Sequence, residues 1–164
     1  MSISALRTDE EIARVYEKFV NTVYKVCFML LKNVPETEDA TQNVFIKFMK
    51  DSKEFQSDEH IKAWLIVTAK NECINMLRHW FRSKRSDSEV LESMSYTDDH
   101  EKGRLLEQVL SLDKKFRLPI YLYYYEGYST SEISEMLETK HSTIRTYMAK
   151  GREKLKFLLE EENQ

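Results

Sequence analysis

A chain of 164 residues with 41% hydrophobic and 32% charged side chains has globular composition, which excludes disorder and allows one medium domain or two small ones. Three glycines and two prolines are too few for the turns of a sheet-rich fold, so long helices are expected. A net charge of −3 excludes a protein that coats DNA nonspecifically, and the absence of an apolar run near ~18 residues or of a signal-peptide pattern predicts a soluble, cytoplasmic protein without membrane insertion.

The first helix opens at Thr8-Asp9-Glu10-Glu11, a capping box in which the Thr8 hydroxyl and Glu11 carboxylate satisfy unpaired backbone N–H groups. Ile12, Val15, Phe19, Val23, Val26 and Leu30 recur at helical spacing and mark a buried face. Asn33-Val34-Pro35 ends that helix, because the residue before proline avoids helical backbone angles. A second helix is expected over 37–51, with Glu38 and Asp39 in its first turn, where the helix dipole favours acids. Residues 55–59 read as a polar loop. A third helix over 60–81 sets Ile61, Trp64, Leu65, Thr68, Ala69, Cys73, Met76 and Leu77 on one face, with Lys62, Lys70, Asn71 and Arg78 away from its centre. Cys27 and Cys73 stand among apolar neighbours without metal-ligand spacing and read as small buried hydrophobes.

Residues 85–104 read as a linker rich in Ser, Asp and Glu. Beyond it, Leu105, Val109, Leu112 and Phe116 suggest one helix and 119–126 another, with Pro119 in its first turn and Gly127 ending it. Ser129-Thr130-Ser131-Glu132 is a second capping box and opens a short helix through Leu137. Ser142 then caps a last helix to about Glu160, with Ile144, Met148, Gly151, Leu155 and Leu158 inward. Two helices across a tight turn, the second basic and exposing Arg145, Thr146 and Lys150, form a helix-turn-helix. The whole is an all-α fold of two small helical domains, 1–84 and 105–164, joined by the flexible linker.

Charge follows the same division. Between Lys70 and Arg85 the local balance is +4, between Lys140 and Lys156 it is +5, and between Ser86 and Asp113 it is −6. Two basic patches flanking an acidic stretch suit two separate contacts with DNA. The acidic linker is also expected to screen DNA from the isolated protein, so deleting 86–99 should raise its DNA binding. His60, His79, His100 and His141 are scattered without carboxylate or cysteine partners, and no phosphate-binding glycine loop occurs, so neither catalysis, cofactor nor metal is expected.

These motifs form an ordered set. Glu38-Asp39-Ala40-Thr41-Gln42-Asn43-Val44-Phe45 resembles the Asp-x-x-Gln-x-x-Phe helix of sigma-factor region 2. Ala63-Trp64-Leu65, Ala69-Lys70-Asn71 and Met76-Leu77-Arg78 resemble the Trp-Leu, Ala-Arg-Asn and Leu-Arg helix that follows it. Residues 112–117, Tyr125-Glu126-Gly127-Tyr128-Ser129, 132–137, Thr143-Ile144-Arg145-Thr146 and 150–155 follow the order of sigma region 4. The resemblance spans about residues 8–158 and leaves no room for the first and third regions of larger sigma factors. It is therefore to the extracytoplasmic-function (ECF) group of the sigma-70 family. Four departures stand out: Asn43 where an acid is common, Glu138 where the helix-turn-helix usually has glycine, Thr139 and His141 where apolar residues are preferred, and Gly151 for the customary alanine, at a cost of roughly 1 kcal/mol.

The resemblance implies a transcription initiation factor that binds core RNA polymerase and recognises −10 and −35 promoter elements. Asp39, Gln42, Asn43 and Phe45 would dock on the β′ coiled coil as a charge, amides and an aromatic anchor. The alternative for Phe45 is a place in the core. Gln56, Ser57, Asp58 and Lys62 would pocket a base flipped from the melted −10 element, while Lys70, Asn71, Arg78 and Arg82 hold phosphates and base edges. Trp64 has two roles open to it, stacking on a base or core packing, and its place in the apolar stripe favours the core. In the last helix Arg145 and Thr146 would face the major groove of the −35 element, with Ser142, Thr143, Lys150 and Arg152 on phosphates. Tyr121, Tyr123, Tyr124 and Tyr125 would be partly core and partly a surface for the polymerase β flap or a regulator. The family also implies an anti-sigma factor. The rival reading is a stand-alone helix-turn-helix regulator, which explains the second half but leaves the region 2 pattern as coincidence. A helical interaction protein would leave both basic patches unused.

Overall fold

Thr8 is extended, and its hydroxyl accepts from Glu11 N–H at 3.1 Å, so α1 (Asp9–Leu31) starts where the sequence announces it. The Glu11 carboxylate is engaged by Arg7 at 3.2 Å, and the Thr8 half of the expected box forms. The computed structural model describes residues 7–83 and 100–162. The chain divides into two units, Met1–Leu91 and Glu92–Gln164. Among the described residues every regular element is a helix. Most of the predicted linker, and with it the screening role assigned to 86–99, lies outside the described residues.

The first unit packs α1, α2 (Val34–Lys50) and α3 (Asp58–Ser83) against one another. α1 ends on Lys32 in the left-handed conformation, with φ 49°. α2 begins at Val34, earlier than residue 37, because Asn33 accepts from Glu36 N–H at 2.9 Å and Pro35 fits a first turn that needs no N–H. The same three residues thus stop one helix and start the next. Val15, Phe19, Val23 and Val26 meet Val44, Phe48, Leu65, Ala69 and Cys73 in a core that also buries Cys27. Phe48 is fully enclosed. α3 is packed by two helices, so its buried arc is wider than one amphipathic stripe. Ile66 and Lys70 fall inside that arc, and Lys70 is only 5% exposed. The expectation that Lys70 lies away from the centre of the buried face, available to phosphates and base edges, is therefore corrected.

The second unit contains α4 (His100–Leu110), α5 (Lys114–Tyr124), α6 (Thr130–Met136) and α7 (His141–Glu162). α4 begins inside the stretch read as linker. Phe116 belongs to α5, not α4, and Pro119 lies in the interior of α5 instead of its first turn. An interior proline forgoes one hydrogen bond and costs about 3 kcal/mol in an exposed helix. Here every residue from Phe116 to Leu122 is buried, so the whole circumference of α5 contributes packing that outweighs the loss. Gly127, at φ +79°, turns the chain, and Tyr128 N–H reaches the Leu122 carbonyl at 3.1 Å. The Ser129 capping box forms in both directions. α7 starts at His141, so Ser142 sits inside the first turn, and the Lys140 carbonyl accepts from Ile144 N–H at 3.0 Å.

Candidate protein-docking and nucleic-acid surfaces

α2 turns two faces in different directions. Thr37, Ala40, Thr41, Val44, Phe45 and Phe48 point inward, while Asp39, Gln42 and Asn43 are exposed. Phe45 is 5% exposed and packs edge-on to Tyr16 at 4.9 Å, which corrects its reading as a docking anchor. The apolar part of the exposed face is instead Ile46 and Met49, 44% and 42% exposed. They continue the line from Asp39 and Gln42 at helical spacing, so the signal was a repeat of three and four residues starting at Asp39. Asn43 donates to Glu72 of α3 at 3.0 Å, and Lys47 pairs with the same carboxylate at 2.7 Å. An amide at position 43 can share Glu72 with Lys47, where an acid would repel it.

The α2–α3 loop, residues 51–57, carries the second cluster. Gln56 and Ser57 are exposed. The Ser57 hydroxyl accepts from His60 N–H at 3.1 Å and its carbonyl from Ile61 N–H, which makes Ser57 the cap of α3. Asp58 does not face outward alone. Arg14 donates to both its oxygens at 3.1 Å and Lys18 to one at 2.6 Å. These hydrogen bonds, Lys18 first and then Arg14, hold the Asp58 carboxyl below its ordinary range. Asp58 is thus a tie between α3 and α1, a correction to its expected place in a base pocket. Phe55 packs against Phe48, Trp64 and His60, with ring centroids 6.0, 5.7 and 5.1 Å away. Trp64 is half-buried in this aromatic group, short of the full core place that its position in the stripe favours.

Farther along α3, Asn71, Arg78 and Arg82 are exposed and fall on one stripe, and Asn75 fills the gap between them. Asn75 escaped the sequence reading because an uncharged amide adds nothing to a basic patch. Lys62 is half-buried on a different side of the helix, and Lys70 lies in the core. The end of α3 also presents Phe81, 79% exposed.

In the second unit the turn of the helix-turn-helix adopts the left-handed conformation at Glu138, with φ 49° and no glycine to ease it. Thr139 donates to the Leu137 carbonyl at 3.0 Å, and His141 Nε2 shares a hydrogen bond with Thr130 at 2.9 Å. Polar partners therefore hold the positions where apolar packing was the norm. α7 exposes Ser142, Arg145, Thr146, Ala149 and Lys150, while Thr143 is half-buried. Thr146 returns its hydroxyl to the Ser142 carbonyl at 3.1 Å. Ala149, overlooked in the sequence, is a small exposed residue between Arg145 and Lys150 on the helix surface.

Arg152 has a different setting from the other basic residues of α7. Its Nε donates to the Met148 carbonyl at 3.3 Å and its guanidinium stands 5.9 Å from the Tyr123 ring. It borders a mostly apolar cavity of about 330 Å³ with Leu105, Val109, Ile120, Tyr124 and Leu155. Tyr121 is fully buried, whereas Tyr123 and Tyr124 are exposed, so the tyrosine group divides between core and surface as expected. Burial pushes the Tyr125 hydroxyl up to about 12, and it remains protonated at neutral pH. Among the described residues no group of three or more His, Cys, Asp or Glu could hold a metal ion. No described helix is long and apolar enough to cross a membrane.

Among the described residues, three packed helices with an exposed mixed face precede four that end in a basic helix-turn-helix, which defines a modular all-α protein of the helix-turn-helix class. Residues 15–82 match the model of Sigma-70 region 2, and residues 102–155 match that of Sigma-70, region 4. The two matches together cover most of the chain, which belongs to the ECF group of the sigma-70 family. It is 25% identical over 164 residues to the ECF RNA polymerase sigma factor SigW of Bacillus subtilis, covering 90% of this chain and 88% of SigW. Identity to SigX of the same organism is 24% over 160 residues, covering 87% and 80%. In fold the chain is similar to the sigma factor RpoE of Bartonella quintana, solved with the anti-sigma factor NepR. That match has a TM-score of 0.73 at 20% identity and covers 92% of this chain and 98% of RpoE. It is also similar to CnrH, solved with the cytosolic domain of CnrY, at a TM-score of 0.65 and 17% identity, covering 96% and 92%. The chain is a sigma factor, and a stand-alone regulator is not favoured.

Proposed function

We propose that this sigma factor docks on the β′ coiled coil of core RNA polymerase through Asp39, Gln42, Asn43, Ile46 and Met49. On that polymerase the 51–57 loop and the stripe Asn71, Asn75, Arg78 and Arg82 read and hold the melted −10 element. Arg145 and Thr146 read the −35 element, while Ser142, Thr143 and Lys150 hold phosphates. The groove beside Tyr124 and Arg152 takes the β flap, and an anti-sigma factor is the regulator, as in the complex of RpoE. Initiation proceeds without a catalytic step by this chain, in the bacterial cytoplasm. The domain limits are 1–84 and 105–164, with the helical start of α4 in the intervening linker.

The observation that carries this reading is the exposed face of α2. A partner-independent DNA reader has no use for a carboxylate, two amides and two large apolar side chains aligned on a helix remote in sequence from its helix-turn-helix. Interface hot spots combine such groups, and truncating one costs about 2 kcal/mol or more. Capture of purified bacterial core polymerase tests it, comparing wild type with Asp39→Ala/Gln42→Ala/Ile46→Ala. Wild type is expected to be retained and the folded triple variant lost. Equal retention of both would overturn this docking face.

A further inference from the structure

We infer that Arg7 is a positioning residue for −10 recognition: from just before α1 it fixes the 51–57 loop in its reading conformation without touching DNA itself. This rests on the proposed reading of that loop as the −10 contact. The Arg7 side chain is only 8% exposed. Its Nε donates to the Phe48 carbonyl at 2.8 Å, and a terminal nitrogen donates to the Lys53 carbonyl at 2.7 Å. Its other terminal nitrogen holds Glu11 at 3.2 Å. The guanidinium carbon lies 4.2 Å from the Phe48 ring centre and 5.0 Å from that of Phe55.

Each contact answers a need created by the loop. Phe48 is in the last turn of α2, where carbonyls have no intrahelical donor, and a cation there also meets the negative end of the helix dipole. Lys53 is in the loop itself, so one guanidinium spans the end of α2 and the first half of the loop. Its fork geometry provides two directed donors and a flat face for the rings, which lysine does not. Phe55, seated under Arg7 and against Trp64, immediately precedes the exposed Gln56 and Ser57. The far end of the loop is held independently by Arg14 and Lys18 on Asp58 and by the Ser57 cap. One anchor lies just before α1 and the other on it, whereas the polar side chains between them remain exposed. A loop fixed at both ends accepts an extruded base without first losing its own freedom, which is how preorganisation gains affinity and selectivity.

The test compares wild type, Arg7→Ala and Arg7→Lys in the full chain. Amide hydrogen exchange is read in the free protein. Binding of the core-polymerase holoenzyme to single-stranded oligonucleotides is then read, using the −10 element of a mapped promoter and its single-base variants. Exchange across 51–57 is expected to rise about tenfold in Arg7→Ala with the interiors of α1, α2 and α3 still protected. Base discrimination at −10 should fall about tenfold, while holoenzyme formation stays within about twofold. Arg7→Lys should resemble Arg7→Ala, because charge alone does not supply the fork. Unchanged loop exchange overturns the inference, as does faster exchange with discrimination intact. Loss of helix protection in both variants overturns it too, by making Arg7 a residue of the general fold. A wild-type holoenzyme that shows no −10 preference fails the proposed reading of the loop itself, which the exchange measurement does not depend on.

Discussion

Replacing Gly151 by alanine sets two opposed effects of known size against each other where the recognition helix seats on α5. In a helix interior alanine is favoured over glycine by about 1 kcal/mol. A Cβ at Gly151 would stand 2.9 Å from Ile120 Cγ1, 3.0 Å from Ile120 Cδ1 and 3.6 Å from Phe116 Cβ. The first two separations are shorter than van der Waals contact, and inserting atoms into a filled core costs about 1–3 kcal/mol. Taking the middle of that range, the variant is net less stable by about 1 kcal/mol. In a unit of this size that corresponds to a fall of about 4–8 °C in Tm. Trp64 and Trp80 both lie in the first unit, so the readout is hydrogen exchange of α5 and α7 amides against denaturant, which isolates the second. Ile120→Val removes Cδ1 and should shrink the penalty of Gly151→Ala, a coupling visible in the double variant. Stabilisation by Gly151→Ala in the wild-type background would refute the close seating of α7 on α5.

Other substitutions separate the roles assigned to the basic residues. Arg145→Ala should cost the holoenzyme about 1–3 kcal/mol on its preferred −35 sequence and relax discrimination there, whereas Lys150→Ala should weaken all sequences alike and lower the salt slope by about 1. Competition binding at several salt concentrations distinguishes them, and equal loss of discrimination in both would be wrong for this assignment. Lys70→Met should leave the salt slope of promoter binding unchanged while Arg78→Ala lowers it, because Lys70 is buried and Arg78 is not. The Asp58 carboxyl titrates lower in the folded than in the unfolded chain, so its tie stabilises fully above the unfolded pKa of about 3.9. That contribution fades as pH falls through the lower folded value. The stability difference between wild type and Asp58→Asn should therefore be constant near neutrality and close in strong acid; a difference that grows in acid has the wrong sign.

Much of the fold was legible because helix starts are written in local chemistry. Thr8 and Ser129 each accept a backbone N–H three residues on, and the inward faces of α1 and α7 follow the apolar period. What escaped was decided by neighbours distant in the sequence. Nothing around Lys70 reveals that two helices close over it, or that the middle of α5, from Phe116 to Leu122, is buried all round. The necessity of Gly151 depends on Ile120, thirty-one positions earlier. The same limit shaped the candidate surfaces. Phe45 and Ile46 are adjacent large apolar residues, of which Phe45 turns inward against Tyr16 and Ile46 stays exposed. Asp58 read as a loop acid until Arg14 and Lys18 stood across from it. Arg7 had no visible role, since its acceptors Phe48 and Lys53 are backbone carbonyls that no side-chain pattern advertises. Exposed residues on a single helix, such as Asn71, Arg78, Arg82, Arg145 and Lys150, were the ones periodicity placed well.

The most direct experiment maps transcript 5′ ends from a genomic DNA library incubated with purified core polymerase, with and without this protein, alongside DNA retention by the protein alone. A sigma factor should create new start sites that share −35 and −10 sequences, with specific retention only when polymerase is present. Specific retention of duplex fragments by the protein alone, without any new start site, would contradict a polymerase-dependent reader and leave a stand-alone regulator.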